Sequence, residues 1–149
     1  MPNHEFFLPN EALHQAYIHS NYYVWLAPRE RICLSVDKSV PGVLEHWLHR
    51  QSVDGWALLS AWNPCSKPLS VSVNQARHVA MQQQLRQQRV KYYPAVGESL
   101  DGTWRESSLL LLNPATAVVE TLAHRFGQLA WLSGTPQSVV TLAWSGTVT

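Results

Sequence analysis

Apolar residues along the chain follow two spacings, one typical of helices and one typical of strands, so both kinds of element are expected. Helical spacing over residues 10–20 predicts a first helix with Asn10 as its cap. The runs YYVWLA and RICLSV, joined through Pro28, are rich in aromatic and β-branched residues, which favour strands. A second helix is expected after Pro41, and its apolar stripe comprises Val43, Leu44, Trp47 and Leu48.

The run from Trp56 to Trp62 is apolar at successive positions, which is typical of a strand covered on both faces. We therefore expect it at the centre of the sheet. The longest helix follows, capped by Ser70 or Ser72 and reaching roughly Arg89. The runs KYYPAVG and RESSLLLL then predict a hairpin, with a turn at Asp101-Gly102.

The last third of the chain predicts one helix and two strands. Asn113 is expected to cap the helix, Pro114 to occupy its first position, and Gly127 to end it. The runs LAWLSG and SVVTLAW supply the strands. Residues 1–149 are thus expected to form a single α+β domain. Its sheet should be mixed but mostly antiparallel, and about four helices should pack on it. The helices at 70–89 and 114–126 should pack against the central strand.

Composition narrows the class of protein and of partner. Hydrophobic residues make up 46% of the chain and charged residues 14%, which is typical of a globular protein. The formal net charge of +1 makes a nucleic-acid partner unlikely. No apolar run has the length of a membrane span, so we expect no membrane and a cytoplasmic location. Cys33 and Cys65 would then be reduced, and neither receives a role.

Neither a metal site nor a familiar catalytic motif emerges from the pattern. His46 and His49 follow Glu45 at a spacing that can chelate, but they point away from the apolar stripe and lack a third ligand. G-x-S-x-G, glycine-rich phosphate loops and the dinucleotide fingerprint do not occur. The sequence therefore indicates no metal and no cofactor.

Isolated polar residues do occur at the ends or on the apolar faces of predicted elements. Asn63 ends the central strand, and Asn74 lies in the first turn of the next helix with Arg77 on its face. Glu106 shares a strand face with apolar residues, Trp104 among them. Gln128 follows the last helix. A carboxylate in such surroundings must be paired, hydrogen-bonded or protonated.

Each polar residue also has a structural interpretation, which is favoured when the residues are taken singly. Asn63 can cap its own turn, and Asn74 can hold the loop. Glu106 can pair with Arg77, and Gln128 can bond to loose backbone. When the four residues are considered together, the structural interpretation is favoured less strongly over ligand binding, but it is still favoured.

The segments AWNPCSKPLSVSVN, YYPAVGESLDGTWRESSLLLL and FGQLA, in this order, resemble the bacterial family DUF3293, a domain of unknown function. The resemblance extends from about Leu13 to Trp144. Members often carry a glutamate where this chain has Val73, so a helix-start role suits that position better than a catalytic one. The resemblance implies a shared fold but no reaction, substrate or cofactor. The shared positions are Trp62, Asn63, Pro64, Ser70, Asn74, Gly97, Trp104, Glu106, Phe126, Gly127 and Gln128.

The leading hypothesis is a pocket for a small polar ligand, nucleotide-like ligands included, at the end of the central strand. Its ligand-binding residues would be Trp62, Asn63, Asn74, Arg77, Trp104 and Gln128, near free N–H groups of the following helix. Glu106 is the only candidate catalytic acid or base, and whether any reaction occurs stays open. The alternative is a non-catalytic module that binds a protein, a homodimer included, through an exposed aromatic surface.

Overall fold

The computed structural model describes residues 11–145. Within them lie four α-helices, seven strands and one short 3-10 turn. In chain order these are α1 (11–18), β1 (Ser20–Ala27), β2 (Glu30–Leu34), α2 (Gly42–Arg50), β3 (Trp56–Ser60), the 3-10 turn (Pro64–Ser66), α3 (Val71–Gln87), β4 (Lys91–Ser99), β5 (Arg105–Leu112), α4 (Thr116–Arg125), β6 (Ala130–Gly134) and β7 (Thr141–Trp144). The cap expected at Asn10 lies outside the described residues.

The strands form one sheet in the order β2-β1-β4-β5-β3-β6-β7, and each neighbouring pair is antiparallel. The predicted α+β class, with a mostly antiparallel sheet and about four helices, is confirmed, although the described sheet is wholly antiparallel and not mixed. Strand β3 lies inside the sheet, between β5 and β6, and it ends at Ser60 rather than Trp62. The chain then turns away from the sheet through Ala61–Pro64.

Alternate residues of β3 enter two different hydrophobic cores, one on each face of the sheet. Trp56 and Leu58 belong to the core that α2 covers. Ala57 and Leu59 belong to the core that α3 and α4 cover. Burying a large apolar side chain stabilises the fold by about 1.5–3 kcal/mol, so a strand buried on both faces is apolar at successive positions. None of the helices among residues 11–145 has the length and apolar character needed to cross a bilayer.

Local details differ from the predicted helix ends and faces at two places. Asn113 does not cap α4, because Ala115 precedes the helix and Asn113 adopts a left-handed conformation with φ 51°. Its side chain accepts hydrogen bonds from the backbone of Asp54 and Gly55 instead. Val43 is 69% exposed and leaves the predicted stripe of α2.

Two other helix signals are found where the sequence predicts them. The Ser70 hydroxyl caps α3 by accepting a bond from the Val73 N–H (3.3 Å). Gly127 ends α4 in the left-handed region with φ 67°. Its carbonyl accepts a bond from the Cys65 N–H (2.7 Å), which joins the end of α4 to the turn after β3.

Candidate functional site

Asn63 forms the corner at which the chain leaves β3, and its side chain makes three hydrogen bonds. Its φ of 48° is left-handed, a conformation that asparagine tolerates better than most residues. The side-chain oxygen accepts bonds from the N–H of Leu69 (2.9 Å) and from the amide of Asn74 (2.8 Å). Its Nδ2 donates to Glu106 Oε2 (2.9 Å). Asn63 therefore ties three separate segments together.

Asn74 completes that arrangement from the first turn of α3. Its Oδ1 accepts a bond from the backbone N–H of Asn63 (2.9 Å), and its Nδ2 also reaches the Leu69 carbonyl (3.3 Å). The residue is only 1% exposed. Asn74 thus holds the corner and the loop in place, as its structural interpretation proposed.

Glu106 lies in a row that runs across three strands. It is paired with Gly97 on β4, which is paired in turn with Tyr22 on β1. A Cβ at Gly97 would come within 2.8 Å of the Tyr22 ring and 3.2 Å of the Trp104 ring. Because glycine leaves that space open, the two rings can flank the carboxyl group.

Glu106 is 9% exposed, and its carboxyl has no cationic partner among the ion pairs of residues 11–145. The Asn63 amide and the Trp104 indole N–H both donate to its Oε2, each at 2.9 Å. Oε1 accepts no bond from a described residue. Burial raises the pKa of Glu106 above its ordinary value of 4.5, although these two hydrogen bonds act in the opposite direction.

Gln128 reaches the same place from the loop after α4. Its Nε2 donates to the carbonyls of Trp62 (2.8 Å) and Phe126 (3.2 Å). These bonds orient the amide, and they leave Oε1 as an acceptor without a donor in the described chain. Gln128 is 8% exposed and therefore buried at this position.

A cavity of about 520 Å³ opens above these side chains. Its walls come from α1, from the start of β1, from the β4–β5 connection and from the loops around Asn63 and Gln128. The aromatic part of the lining is Tyr17, Tyr22 and Trp104, and the polar part includes Asn63, Glu106 and Gln128. The other lining residues are Leu13, Ala16, His19, Ser20, Ser66, Pro68, Ser99, Leu100, Asp101, Gly127 and Leu129.

The two tyrosines of the cavity are neutral hydrogen-bonding groups. Their rings stack with centroids 6.4 Å apart. Burial raises the pKa of both phenols far above the ordinary value of 10.0, and Glu106 adds to the rise. Tyr22 is 3% exposed, and its hydroxyl is enclosed by the protein next to the Ser20 side chain, whose interaction acts to lower the pKa of Tyr22.

Charge in the lining is acidic. Asp101 lies on the connection between β4 and β5, where hydrogen bonds from Ser99 and Thr103 lower the pKa of its carboxyl to about 2. Glu106 is the second carboxyl. Neither lysine nor arginine occurs among the lining residues of the described chain, and His19 is the single histidine among them.

Three residues predicted to bind a ligand do not line this cavity. Arg77 donates to the carbonyls of Ala61 (2.8 Å) and Phe126 (2.5 Å), and its ring partner is Phe126. It therefore neither contacts the cavity nor pairs with Glu106. Trp62 contributes its backbone carbonyl, which Gln128 binds, and Asn74 lies behind Asn63.

The N–H groups expected at the start of α3 are also unavailable to a ligand in this cavity. The described residues of α3 are not part of the lining, and the N–H of Val73 is bonded to Ser70. The N–H of Leu69 is bonded to Asn63. Among residues 11–145 we find no group of three His, Cys, Asp or Glu that could hold a metal ion.

Sequence reasoning missed the residues that α1, β1 and the hairpin bring to the cavity. The sequence pattern places Tyr17 and Tyr22 on the apolar faces of a helix and a strand, and both side chains do pack in the core. The signal that could have found them is the pairing of Glu106 with Gly97, because a glycine opposite a buried carboxyl leaves room for rings from the next strand.

Residues 59–130 match the family described as protein of unknown function (DUF3293). The predicted resemblance is confirmed over this segment, which is slightly less than half of the chain and narrower than the expected extent. It contains Asn63, Asn74, Glu106 and Gln128, whereas Tyr17 and Tyr22 lie before it. Comparisons with curated proteins and with solved structures found no significant match.

Proposed function

We propose that this protein binds a small organic molecule in the cavity above Glu106. The observation that carries the proposal is a buried carboxyl at the base of a cavity with mostly apolar walls, three aromatic rings among them, and this carboxyl has one oxygen held and the other free. Tyr17, Tyr22 and Trp104 would contact the apolar body of the ligand, and Glu106 and Gln128 would accept hydrogen bonds from its polar end.

The dimensions of the cavity support this proposal. Small-molecule sites commonly have volumes of about 300–1,000 Å³, mostly apolar walls and a few fixed polar groups. The cavity of about 520 Å³ lies in that range. Its polar groups are fixed by bonds to other elements, so little order has to be imposed when a ligand binds.

The charge of the lining bears on the expected nucleotide-like ligand. A phosphate is usually bound by arginine, lysine or free backbone N–H groups. The described lining has neither cation, and the N–H groups of Leu69 and Val73 are already bonded. An aromatic base suits this cavity, whereas a phosphate attached to it does not.

Glu106 is the group placed to exchange a proton with a bound molecule, if that molecule is also transformed. Its pKa is raised by burial, which brings a carboxyl closer to the range in which acids and bases act at neutral pH. No geometry here selects one reaction. The proposal is therefore a binding function, with Glu106 as the candidate acid or base, in a bacterial protein as the family resemblance implies.

The alternative of a protein-binding module requires an exposed aromatic surface. The large hydrophobic residues that are exposed among residues 11–145 are Val43, Leu69, Val71, Val73, Val79, Leu100 and Val139, which include no aromatic side chain. A cavity whose aromatic rings point inward fits a small molecule better.

A fragment screen on a filled-cavity variant tests the proposal. Ala16 is exposed on α1 and lines the cavity, so Ala16→Trp would place an indole in it with little effect on the core. Ala76→Trp on α3 is the matched control, since Ala76 is also an exposed helical alanine but lies outside the lining. Binding is measured by ligand-observed NMR and by thermal shift.

We expect fragments that bind the wild-type protein to bind Ala76→Trp equally and to lose binding to Ala16→Trp. The alternative would gain if Ala16→Trp bound the same fragments as the wild type. A screen of several hundred aromatic fragments without any binder would also count against the proposal.

A further inference from the structure

The acidic lining of the cavity indicates the class of its ligand. We infer that the cavity selects a cation, namely a molecule with an aromatic body and a protonated amine that contacts Glu106. This inference rests on the proposed binding function, and it names the chemical group that the site recognises.

The acceptors at the base of the cavity match an ammonium group, which carries three N–H donors and no acceptor. Glu106 Oε1 accepts no bond from the described chain, because Asn63 and Trp104 both donate to Oε2. The amide oxygen of Gln128 is free as well, since its Nε2 is bound to two carbonyls.

The aromatic walls favour the same kind of ligand. The faces of Tyr and Trp rings attract cations through the ring quadrupole, and the attraction grows when water is excluded. Tyr17, Tyr22 and Trp104 all line the cavity that Glu106 closes. The two phenols stay neutral, so they do not compete with Glu106 for the charge of the ligand.

The distribution of charge argues against an anion. The whole chain has a formal net charge of +1, yet the described lining contains two carboxyls and neither lysine nor arginine. Arg77, which follows the corner at Asn63 on α3, is occupied with the carbonyls of Ala61 and Phe126. A carboxylate or phosphate would meet Glu106 and Asp101 with no opposite charge from these residues.

A series of three indoles that differ in one group tests the inference. Tryptamine carries a cation, tryptophol a neutral hydroxyl and indole-3-propionate an anion on similar skeletons. Binding is measured by titration calorimetry and NMR at about pH 8, where a primary amine is still protonated. The same series is run on Glu106→Gln and on Glu120→Gln, which removes one exposed carboxylate of α4 outside the cavity.

Because a hydrogen bond to a charged group is stronger than a neutral one, we expect tryptamine to bind about tenfold or more tighter than tryptophol. Indole-3-propionate should bind weakest. Glu106→Gln should abolish the preference for tryptamine while leaving tryptophol within about twofold, and Glu120→Gln should change neither.

Equal binding of tryptamine and tryptophol by the wild type, or tightest binding of the propionate, would overturn the inference. This comparison does not depend on whether Glu106→Gln folds. Failure of all three indoles would overturn it too, while fragments displaced by Ala16→Trp would still support the binding function. The two proposals can therefore fail separately.

Discussion

Two Asn-Pro corners lie at opposite ends of the β3–β5 pair. They share the same local conformation and hydrogen-bond pattern but serve different purposes. Asn63 follows β3 and Asn113 follows β5, each just before a proline. Both are left-handed, with φ values of 48° and 51°. In both, the side-chain oxygen accepts two hydrogen bonds and the amide nitrogen donates to a distant segment.

Their partners differ. The side chain of Asn113 bonds only to backbone groups in the loop before β3, those of Ser52, Asp54 and Gly55, and the residue is exposed. The side chain of Asn63 bonds to the side chains of Asn74 and Glu106 as well as to backbone. One corner closes a loop, while the other fixes a buried carboxyl beside a cavity.

The difference shows that the local pattern does not reveal its use. An asparagine before a proline predicts a corner in both places, and a corner is found in both places. The chemistry of the Asn63 corner comes from Glu106 and the cavity above it, which distant parts of the chain supply. Asn63 is accordingly a positioning residue, because its side-chain amide is bonded to Glu106, Leu69 and Asn74.

The largest expected effect comes from truncating the two asparagines. Asn63→Ala removes three hydrogen bonds, two of them partly buried, and forces alanine into a left-handed conformation, so we expect a loss of about 3 kcal/mol. Asn113→Ala meets the same backbone strain, but water can reach the groups it exposes, so it should cost less, about 1–2 kcal/mol. Urea titration of both variants measures the free energies of unfolding.

A small loss at Asn63 would restore the sequence-based expectation that this side chain is reserved for a ligand. The aspartate variants sharpen the comparison. Asn63→Asp places a carboxylate against Glu106 and should destabilise more as pH rises, whereas Asn113→Asp keeps its two backbone N–H partners. Similar pH profiles for the two aspartates would contradict this account of the corners.

Glycine substitutions give the next largest effect, since Gly127 and Gly102 are both left-handed but differ in the space around them. A Cβ at Gly127 would lie 2.7 Å from the Pro64 Cβ, whereas none of the atoms described near Gly102 comes within 4 Å. We expect Gly127→Ala to cost about 2–3 kcal/mol and Gly102→Ala about 1 kcal/mol. Thermal unfolding provides the measurement.

The difference in stability loss between the two glycine variants measures the energetic contribution of the contact between the Asn63 corner and the end of α4. If both alanine variants lost the same stability, only backbone conformation would matter, and the close approach to Pro64 would have no energetic role. Fragment binding to Gly127→Ala should also weaken, because Gly127 lines the cavity next to Gln128.

The smallest expected effect on stability is that of Glu106→Gln. The glutamine oxygen can accept from Asn63 and Trp104 as Oε2 does, and no cation is left unpaired in the described chain, so the change should be under about 1 kcal/mol. A loss of several kcal/mol would indicate a structural ion pair after all.

The pH dependence of stability provides a second measurement on Glu106. Its pKa is raised in the folded state, so the folded protein binds more protons than the unfolded chain between the ordinary value of 4.5 and the raised pKa. Glu106 therefore makes stability fall as pH rises through that window, and Glu106→Gln should remove this fall. Glu120→Gln serves as the control and should keep it. A wild-type profile that Glu106→Gln leaves unchanged would contradict the raised pKa.

Much of the fold could be predicted from the sequence, because the relevant signals are local. The apolar run of β3 predicts an interior strand, since each face must be buried whatever covers it. Ser70 and Gly127 mark helix ends through bonds and backbone angles within a few residues. The prediction that Asn113 caps α4 was wrong for a local reason as well, because an Asn-Pro pair suits a helix start and a left-handed corner equally well.

The sequence by itself also determined that Glu106 needed hydrogen bonds or protonation, because it lies on the apolar face of a strand. Only the tertiary structure decided which groups meet it. The antiparallel register places Gly97 and then Tyr22 beside Glu106, and α1 places Tyr17 over them. It also turns Arg77 toward two carbonyls and away from the carboxyl. Burial and charge at a site are sums over residues far apart in the chain, so local pattern determines the elements and packing determines the chemistry between them.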